Sequence, residues 1–504
     1  MGNNKRIAKN TGLLYVRSVI VMIITLYTSR ITLQVLGVED YGLFNVIGGV
    51  VALFSFLKTS MTKSTQRFLN VEMVKREGRL EDTFRVSFTI HVLISIIALV
   101  LLETVGLWFL NNHIQIPIGR EYAANIVFQS TVIGLVLTII SVPYNAAIIA
   151  HEKMGFFAVV SIADAILKLG ICFLVMYASP DRLIVYGWLM MGIHVINIIM
   201  LFFYCHHNMS EVKERLLYDK SLFFDMIGYT TWTVLGQISI VGTNQGNNIL
   251  VNMFHSVSAN AGMGISSQVN GAVVSLTSNF QTAFNPQITK SFAAKDYDYL
   301  KKLVYGTSKI SFFLLLVATI PISFNIDIIL DLWLSKVPPY TDIFCILVLC
   351  NSMLNALSAP LNFSVLSSGK IKWFQIVTSI VYLSDLLIVY ILFKLGYSAP
   401  SALYVKVSIM VIVLFVRLFF AEREVPTIKF GTYFSDVLLP ICLVTILSII
   451  SGLFLISDTT HLHERIIATF LEVIITLVMI IIIGLKSSEK KQILNLIIKK
   501  KRIC

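Results

Sequence analysis

VIGGVVALFSFLKTSMTKSTQRFLN, residues 46–70, begins as a membrane-spanning sequence and ends as something else. Its first twelve residues carry no charge. Its last ten, Met61–Asn70, hold seven polar side chains, Lys63 and Arg67 among them, and Lys58 lies between the two parts. The chain around it is 56% hydrophobic and only 13% charged, with a mean hydropathy of +0.80. A Lys or Arg at the bilayer centre costs about 2.5–3.5 kcal/mol on insertion scales. A chain this averse to charge has a use for three cations in one span.

Outward from that stretch, runs of roughly 20 apolar residues recur from end to end, each long enough to cross a hydrocarbon core of about 30 Å. About fourteen can be read: 11–36, 41–69, 82–110, 121–149, 155–178, 182–204, 221–251, 258–288, 299–323, 340–366, 372–394, 398–420, 435–456 and 464–485. The expected fold class is therefore an all-α integral membrane protein. The first run follows Lys5, Arg6 and Lys9 without a small-x-small cleavage site, which reads as a retained helix. The remaining loops are short. The longest on the outer side, NIDIILDLWLSKVPPYTD, has about 18 residues.

A net charge of +12 could signal nucleic acid, so its distribution decides. Alternating the loops from a cytoplasmic N-terminus puts roughly 25 Lys/Arg on the inner side and about 4 on the outer, the positive-inside pattern. VKREGR, KERLLYDK, KSFAAKDYDYLKK and KKKRIC all fall inside. No basic patch remains for nucleic acid. Both termini are expected in the cytoplasm, with Ser179–Arg182 and Ser457–His463 outside, and the tail KSSEKKQILNLIIKKKRIC, residues 486–504, as a short interfacial helix. The six cysteines have no metal or redox spacing, and Cys504, as the last residue, is no prenylation site. The nine histidines include no HExxH, and neither His206–His207 nor the His461/His463 pair argues for a metal.

At an offset of 220, Gly42 meets Gly262, Ala52 meets Ala272, Ser55 meets Ser275, Thr62 meets Thr282, Leu80 meets Leu300 and Ile90 meets Ile310. Helix ends and loops coincide at the same offset. This predicts a six-plus-six repeat with residues 1–220 as an N-lobe, 221–421 as a C-lobe, and 422–504 as two further helices with the basic tail.

Most spans are Leu, Ile, Val and Phe throughout, but the first, second, seventh and eighth are not. At about 100° per residue, Tyr27, Arg30 and Gln34 share a face of the first. Thr59, Lys63, Gln66, Arg67 and Asn70 span roughly 100° of the second, with Lys58 pointing elsewhere. Gln237, Asn244, Asn247, Asn248 and Asn252 line one face of the seventh, and Gln268, Ser275, Asn279 and Thr282 one face of the eighth. Such faces line a water-filled cavity or the bundle interior. Two other uses stay open: cations snorkelling to headgroups and amides bonding helix to helix. Arg17, Arg85, Lys309 and Arg417 lie nearer helix ends and read as anchors. Four acids lie within spans, Glu103, Asp164, Asp385 and Glu472, with Lys168 four residues from Asp164. Each is a candidate for ion coupling, and the Asp164–Lys168 pair equally a structural bridge. Pro143, Pro286 and Pro360 lie within or near helix ends and favour kinks.

TLYTSRITLQVLGVEDYGLFNVIGG followed by STQRFLN resembles the N-terminal signature of bacterial polysaccharide flippases of the Wzx type, which serve O-antigen and capsule synthesis. SVPYNAAIIAHEKM and AFNPQITKSFAAKDYDYL resemble further family segments, and the similarity runs from about residue 10 to 420. These flippases belong to the multidrug/oligosaccharidyl-lipid/polysaccharide exporter superfamily. The resemblance implies a MATE-like fold, with two six-helix lobes around a central cavity lined by helices 1, 2, 7 and 8. It implies a transporter rather than an enzyme, in the bacterial inner membrane, moving undecaprenyl-pyrophosphate-linked oligosaccharide by alternating access. Arg30, Lys58, Lys63 and Arg67 are the positions that would meet the pyrophosphate. Glycan would meet Tyr27, Gln34, Gln237, Asn244, Asn248, Asn252, Gln268, Ser275, Asn279 and Thr282. No cofactor is expected beyond H+ or Na+ coupling. The partners expected of a monomeric flippase are its lipid-linked substrate, the bilayer, and the glycan polymerase and chain-length machinery. Two alternatives remain: a cation-coupled multidrug exporter of the same superfamily, and a membrane glycan polymerase or glycosyltransferase. The polymerase would need catalytic groups in sizeable outer loops, where only Asp327 and Asp331 stand in the one longer loop.

Overall fold

The computed structural model describes residues 3–52, 55–75, 78–113, 116, 119–177, 181–213, 215–255, 257–334, 337–456, 462–486 and 489–490. Among them every regular element is a helix. Of the interfacial helix expected over 486–504, only 486 and 489–490 are among the described residues, and most of the two loops expected outside, 178–180 and 457–461, lies outside them.

The chain opens with α1 (Asn3–Ala52), which breaks at Gly37. That residue has φ 81° and ψ 170°, a region that only glycine occupies without strain. α2 (Ser55–Lys75) carries the polar stretch that opened the sequence. α3 (Leu80–Leu101) runs through a widened π-turn, Leu102–Gly106, into α4 (Leu107–His113). α5 (Glu121–Ile140) and α6 (Val142–Ala150) divide at Ser141, because Pro143 has no N–H to return to the preceding turn. α7 (Met154–Met176) and α8 (Arg182–Asn208) follow, and the Asp181 carboxylate caps α8 by accepting from the Leu183 and Ile184 N–H groups.

The polar helices α9 (Lys220–Phe254) and α10 (Val257–Ala293) come next, then α11 (Tyr297–Phe324). The long stretch expected on the outer side is more than a loop: its Ile, Leu and Trp fold into a short helix, α12 (Ile326–Trp333), with Ile326 and Leu330 buried. α13 (Thr341–Ser368), α14 (Lys372–Lys394) and α15 (Ser401–Glu424) complete the series. α16 (Phe430–Tyr433) passes through a second π-turn, Phe434–Leu438, into α17 (Leu439–Ile456). α18 (Leu462–Met479) ends in a third, Ile480–Gly484. Pro286, Pro321 and Pro360 all lie inside helices. Near Pro360 the Tyr433 hydroxyl donates to the Leu357 carbonyl at 3.3 Å, and near Pro321 the Asn325 amide donates to the Pro321 carbonyl at 2.8 Å.

Among the described residues, eleven helical segments are long and apolar enough to cross a membrane. The chain is a multi-pass membrane protein. The three expected spans missing from the eleven are 41–69, 221–251 and 258–288. α9 and α10 are missing for composition, not length: they have 35 and 37 residues, about 50 Å each at 1.5 Å per residue, and their Asn, Gln, Ser and Thr content lowers their hydropathy. The run 41–69 divides between the end of α1 and α2, whose described residues stop at 52 and resume at 55.

The fold divides into two compact units, Ile7–Gln237 and Ile238–Cys504 with Met1–Arg6. Within the first, α2 packs on α3 and α6, α3 on α5, α5 on α8, and α8 on α7. Within the second, α10 packs on α11 and α13, α11 on α13, α13 on α15, and α15 on α14. The two sets of partners are the same once α5 and α6 are matched with the single kinked α13. α17 and α18 pair with each other and pack on α11.

Small residues let these helices close. Ala146, Ala147 and Ala150 of α6 are fully buried with Leu69, Phe84 and Tyr144, and close approach of backbones is what holds helices together in lipid. In the other unit Val251, Phe344, Val389, Ala402 and Leu403 form the corresponding core. In the first unit Arg120 clasps the start of α5 to Asp40 and to Asp181, the latter at 2.6 Å.

Two residues read as end anchors are not. Lys309 on α11 is 1% exposed and Arg417 on α15 is 6% exposed.

Candidate functional site

The polar residues separate into those the fold consumes and those it leaves accessible. In the unit Ile7–Gln237, Tyr27, Arg30 and Gln34 of α1 are exposed, as is Lys58 of α2. Lys63 is half-buried. Arg67 lies between aromatic faces, its guanidinium 4.9 Å from the Phe68 ring and 5.0 Å from the Tyr229 ring. Cation–π contact of this kind orients a guanidinium without neutralising it.

α7 and α8 hold the acid. Asp164 Oδ2 pairs with Lys168 Nζ at 2.7 Å, and Asp164 Oδ1 accepts from the Asn197 amide at 2.7 Å. Both Lys58 and His194 feel the charges of Asp164 and Lys168. The expected structural bridge is thus present, and it stands beside the cation of α2. His194 accepts or donates at Thr138 Oγ1, 3.3 Å away, and packs against Gly134 so closely that a Cβ there would meet its ring at 2.7 Å. Glu103 stands apart from this cluster. It sits in the π-turn after α3 and accepts from the Gln129 amide at 2.8 Å.

In the second unit, the amide face of α9 splits by one turn. Asn247 is buried and donates to Asp385 Oδ2 of α14 at 2.6 Å. Asn244 accepts from Lys406 Nζ of α15 at 2.7 Å, and Lys406 is the cation whose charge acts on Asp385. Asp385 is wholly buried, and its Oδ1 has no hydrogen-bond partner. Asn248 donates to Gln245 at 3.4 Å, Asn252 is exposed, and Gln237 at the unit boundary is half-buried. On α10, Gln268 is exposed. Ser275 and Thr282 spend their hydroxyls on the Ala272 and Ser278 carbonyls, while buried Asn279 donates to the Ser275 carbonyl. These three are half-spent on their own helix, unlike Gln268. Glu472, also buried, accepts from Thr476 Oγ1 at 2.9 Å within α18, away from the Asp385 group.

Arg417 was not foreseen as part of any site. It donates to Asn355 Oδ1 at 3.0 Å, Ser358 Oγ at 2.6 Å and the Tyr382 hydroxyl at 3.2 Å, joining α15 to α13 and α14. Lys406 was also missed. Its signal was a lone lysine in the apolar run YVKVSIMVIV, but nothing local shows that α9 supplies its acceptor.

An outward-facing multidrug resistance MATE family transporter of the MOP superfamily superposes with a TM-score of 0.71 at 11% identity, over 85% of this chain and 97% of that one. The chain has the MATE fold. A MOP superfamily transporter from Pyrococcus furiosus, described as having a binding pocket of reverse polarity, matches with a TM-score of 0.68 at 11% identity, over 85% and 99%. A Vibrio cholerae MATE transporter matches with a TM-score of 0.64 at 12% identity, over 86% and 98%. No family model and no curated protein matches the sequence significantly. The MATE fold is one of transporters among these neighbours.

Proposed function

We propose that the chain is a flippase for undecaprenyl-pyrophosphate-linked oligosaccharide, working by alternating access in surface polysaccharide synthesis. One observation carries the reading. On helices of membrane-crossing length, Arg30, Gln34, Lys58, Asn244, Asn252 and Gln268 remain accessible instead of being buried against neighbours. Polar side chains on such helices need water or a polar ligand. In this reading the polar faces of α1 and α2 in one unit, and those of α9 and α10 in the other, face water and substrate, in a fourteen-span, two-lobe transporter. The cations Arg30, Lys58, Lys63 and Arg67 meet the pyrophosphate, and the amides of α9 and α10 meet sugar. Guanidinium forks and ammonium groups are strong partners for phosphate oxygens. Asp164 with Lys168, and Asp385 with Lys406, then hold charge inside each unit and are the foremost candidates for H+ or Na+ coupling, ahead of Glu103 and Glu472.

The main rival, a cation-coupled drug exporter, draws support from the multidrug transporter among the structural neighbours. Its cavity would carry cations repelling cationic substrates, which weighs against it. A polymerase has still less support, since Asp327 of the outer loop is engaged by Arg465 at 2.8 Å.

The test is translocation of a fluorescent polyprenyl-pyrophosphate disaccharide in proteoliposomes, beside ethidium efflux. Lys58→Ala and Arg30→Ala should abolish lipid translocation at normal membrane abundance, Arg30→Lys should lose part of it, and Arg17→Ala little. Full translocation by both alanine variants, or ethidium efflux without lipid translocation, would refute the reading.

A further inference from the structure

Arg85, His206, Lys213 and Arg215 line an open pocket of about 470 Å³, at the end of the first unit where α3 begins and α8 ends. None of its described lining residues is a carboxylate. The pocket is built rather than fortuitous. Thr89 of α3 pins the segment after α8 from both sides, donating to the Leu217 carbonyl and accepting from the Leu217 N–H, each at 3.1 Å. Leu217 then packs with Phe68, Val86, Ile90 and Met226. Arg79 closes the far end of the segment on Asp219 at 2.7 Å.

Two of the cations are held by one acid. Glu81 pairs with Arg85 and with Lys213, the latter at 2.7 Å, and Arg215 acts on the same carboxylate. Asp82 reaches Arg85 only at 3.9 Å. Among the described residues, three cations therefore face two carboxylates, and the excess is positive. The Nε–H of Arg85 is buried with no acceptor, and Arg215 makes no ion pair among the described residues.

Exposed apolar side chains close in sequence to the lining residues name the ligand class. Phe203, Leu216, Tyr218 and Phe224 are 66%, 65%, 61% and 57% exposed. Phe203 is one turn before His206, and Leu216 follows Arg215 directly. Aromatic side chains gather where bilayer meets water, and basic pockets between helix ends take anionic headgroups. A free phosphate would have no use for the apolar rim. An amphipathic ligand would use both parts.

We propose that this pocket binds the phosphate of an anionic phospholipid headgroup, with its acyl chains along Phe203, Leu216, Tyr218 and Phe224. The site is independent of the translocation reading, because it lies on one unit and involves none of the four cations assigned to substrate.

The experiment is native mass spectrometry of the purified full chain, titrated with dioleoyl-phosphatidylglycerol, with phosphatidylcholine, and with inorganic phosphate alone. Each surface cation contributes about fivefold to such binding, so Lys213→Gln with Arg215→Gln should weaken phosphatidylglycerol binding about thirtyfold. Arg215→Glu, which breaks no described ion pair, should weaken it without altering the melting temperature. The matched pair Lys301→Gln with Lys302→Gln should leave it unchanged. Parental affinity in the pocket variants, or equal loss in the matched pair, would overturn the site. Displacement of lipid by millimolar inorganic phosphate, with no preference over phosphatidylcholine, would overturn the lipid assignment and leave a free-phosphate site.

Discussion

Lys309 places a full positive charge 1% exposed inside the second unit, and its partner comes from 180 residues away. Glu489 Oε2 accepts from Lys309 Nζ at 2.5 Å and from the Lys486 N–H at 2.7 Å. Removing one member of a buried pair costs about 3–5 kcal/mol, because the other charge is left uncompensated. Removing both is close to neutral, because neither is then desolvated for nothing. Glu489→Leu should therefore lower the melting temperature by about 6–20 °C, taking about 2–4 °C per kcal/mol for a unit of this size. Lys309→Met should cost less, because the Glu489 carboxylate it leaves behind is 24% exposed and water can solvate it, and the double variant should recover most of the loss. The same arithmetic separates two truncations. A chain ending at Lys490 keeps the pair and should melt like the parent, whereas one ending at Lys486 should melt like Glu489→Leu. The assay is thermal unfolding of detergent-purified protein, read as a ranking because such unfolding is commonly irreversible. Parental melting of Glu489→Leu, or no recovery in the double variant, would refute the pairing.

Gly37→Ala should lower the melting temperature through about 1–3 kcal/mol of backbone strain, since the break in α1 needs its positive φ; unchanged melting would show that the break relaxes. Arg417→Ala should lower it more than Arg417→Met, which keeps the stem and removes the buried charge, and Arg417→Lys should keep at most one or two of the three bonds. Burial pushes the Glu211 carboxyl up, but its bond to the His151 ring, a backbone N–H and the His151 charge outweigh this, so it sits below its ordinary value of 4.5. The folded chain thus holds this proton less tightly than the unfolded one, so the contribution is full above about pH 4.5 and is lost as pH falls through the folded value. Melting curves from about pH 6 downward should fall steeply for the parent and less so for Glu211→Gln.

Much of this was legible from residues alone, and the failures have identifiable causes. The polar faces of the second, seventh and eighth runs stood out because charge and amides are costly in lipid, and the same polarity keeps those helices out of the apolar eleven. The split between Asn244 and Asn247 was not legible. Both lie on one helical face, and only the arrival of α14 and α15 decides that one meets an acid and the other a cation. Arg417 misled for a directional reason. It stands seven residues from the end of α15, which suggests an anchor at the membrane surface. Helical side chains lean toward the N-terminus, so its guanidinium runs back into the bundle, level with Asn355 and Ser358 in the middle of α13. Lys309 misled because its partner belongs to a tail read as lying on the lipid surface, away from the bundle.

The π-turn at Leu102–Gly106 has a consequence for how this chain tolerates lost residues. A turn of this kind holds about one residue more than an α-turn while keeping the helix on both sides continuous. Elsewhere in α3, deleting one residue would swing everything beyond it by about 100° and turn Leu107 and Leu110 away from the core they share with Phe128. Between Leu102 and Gly106 the same deletion can be absorbed by tightening the wide turn to an ordinary one. The helix would lose Glu103's station opposite Gln129 and keep its packing. Such a turn is the mark an inserted residue leaves once the faces on either side have been held in place, so single deletions walked along residues 96–110 should be tolerated there and nowhere else.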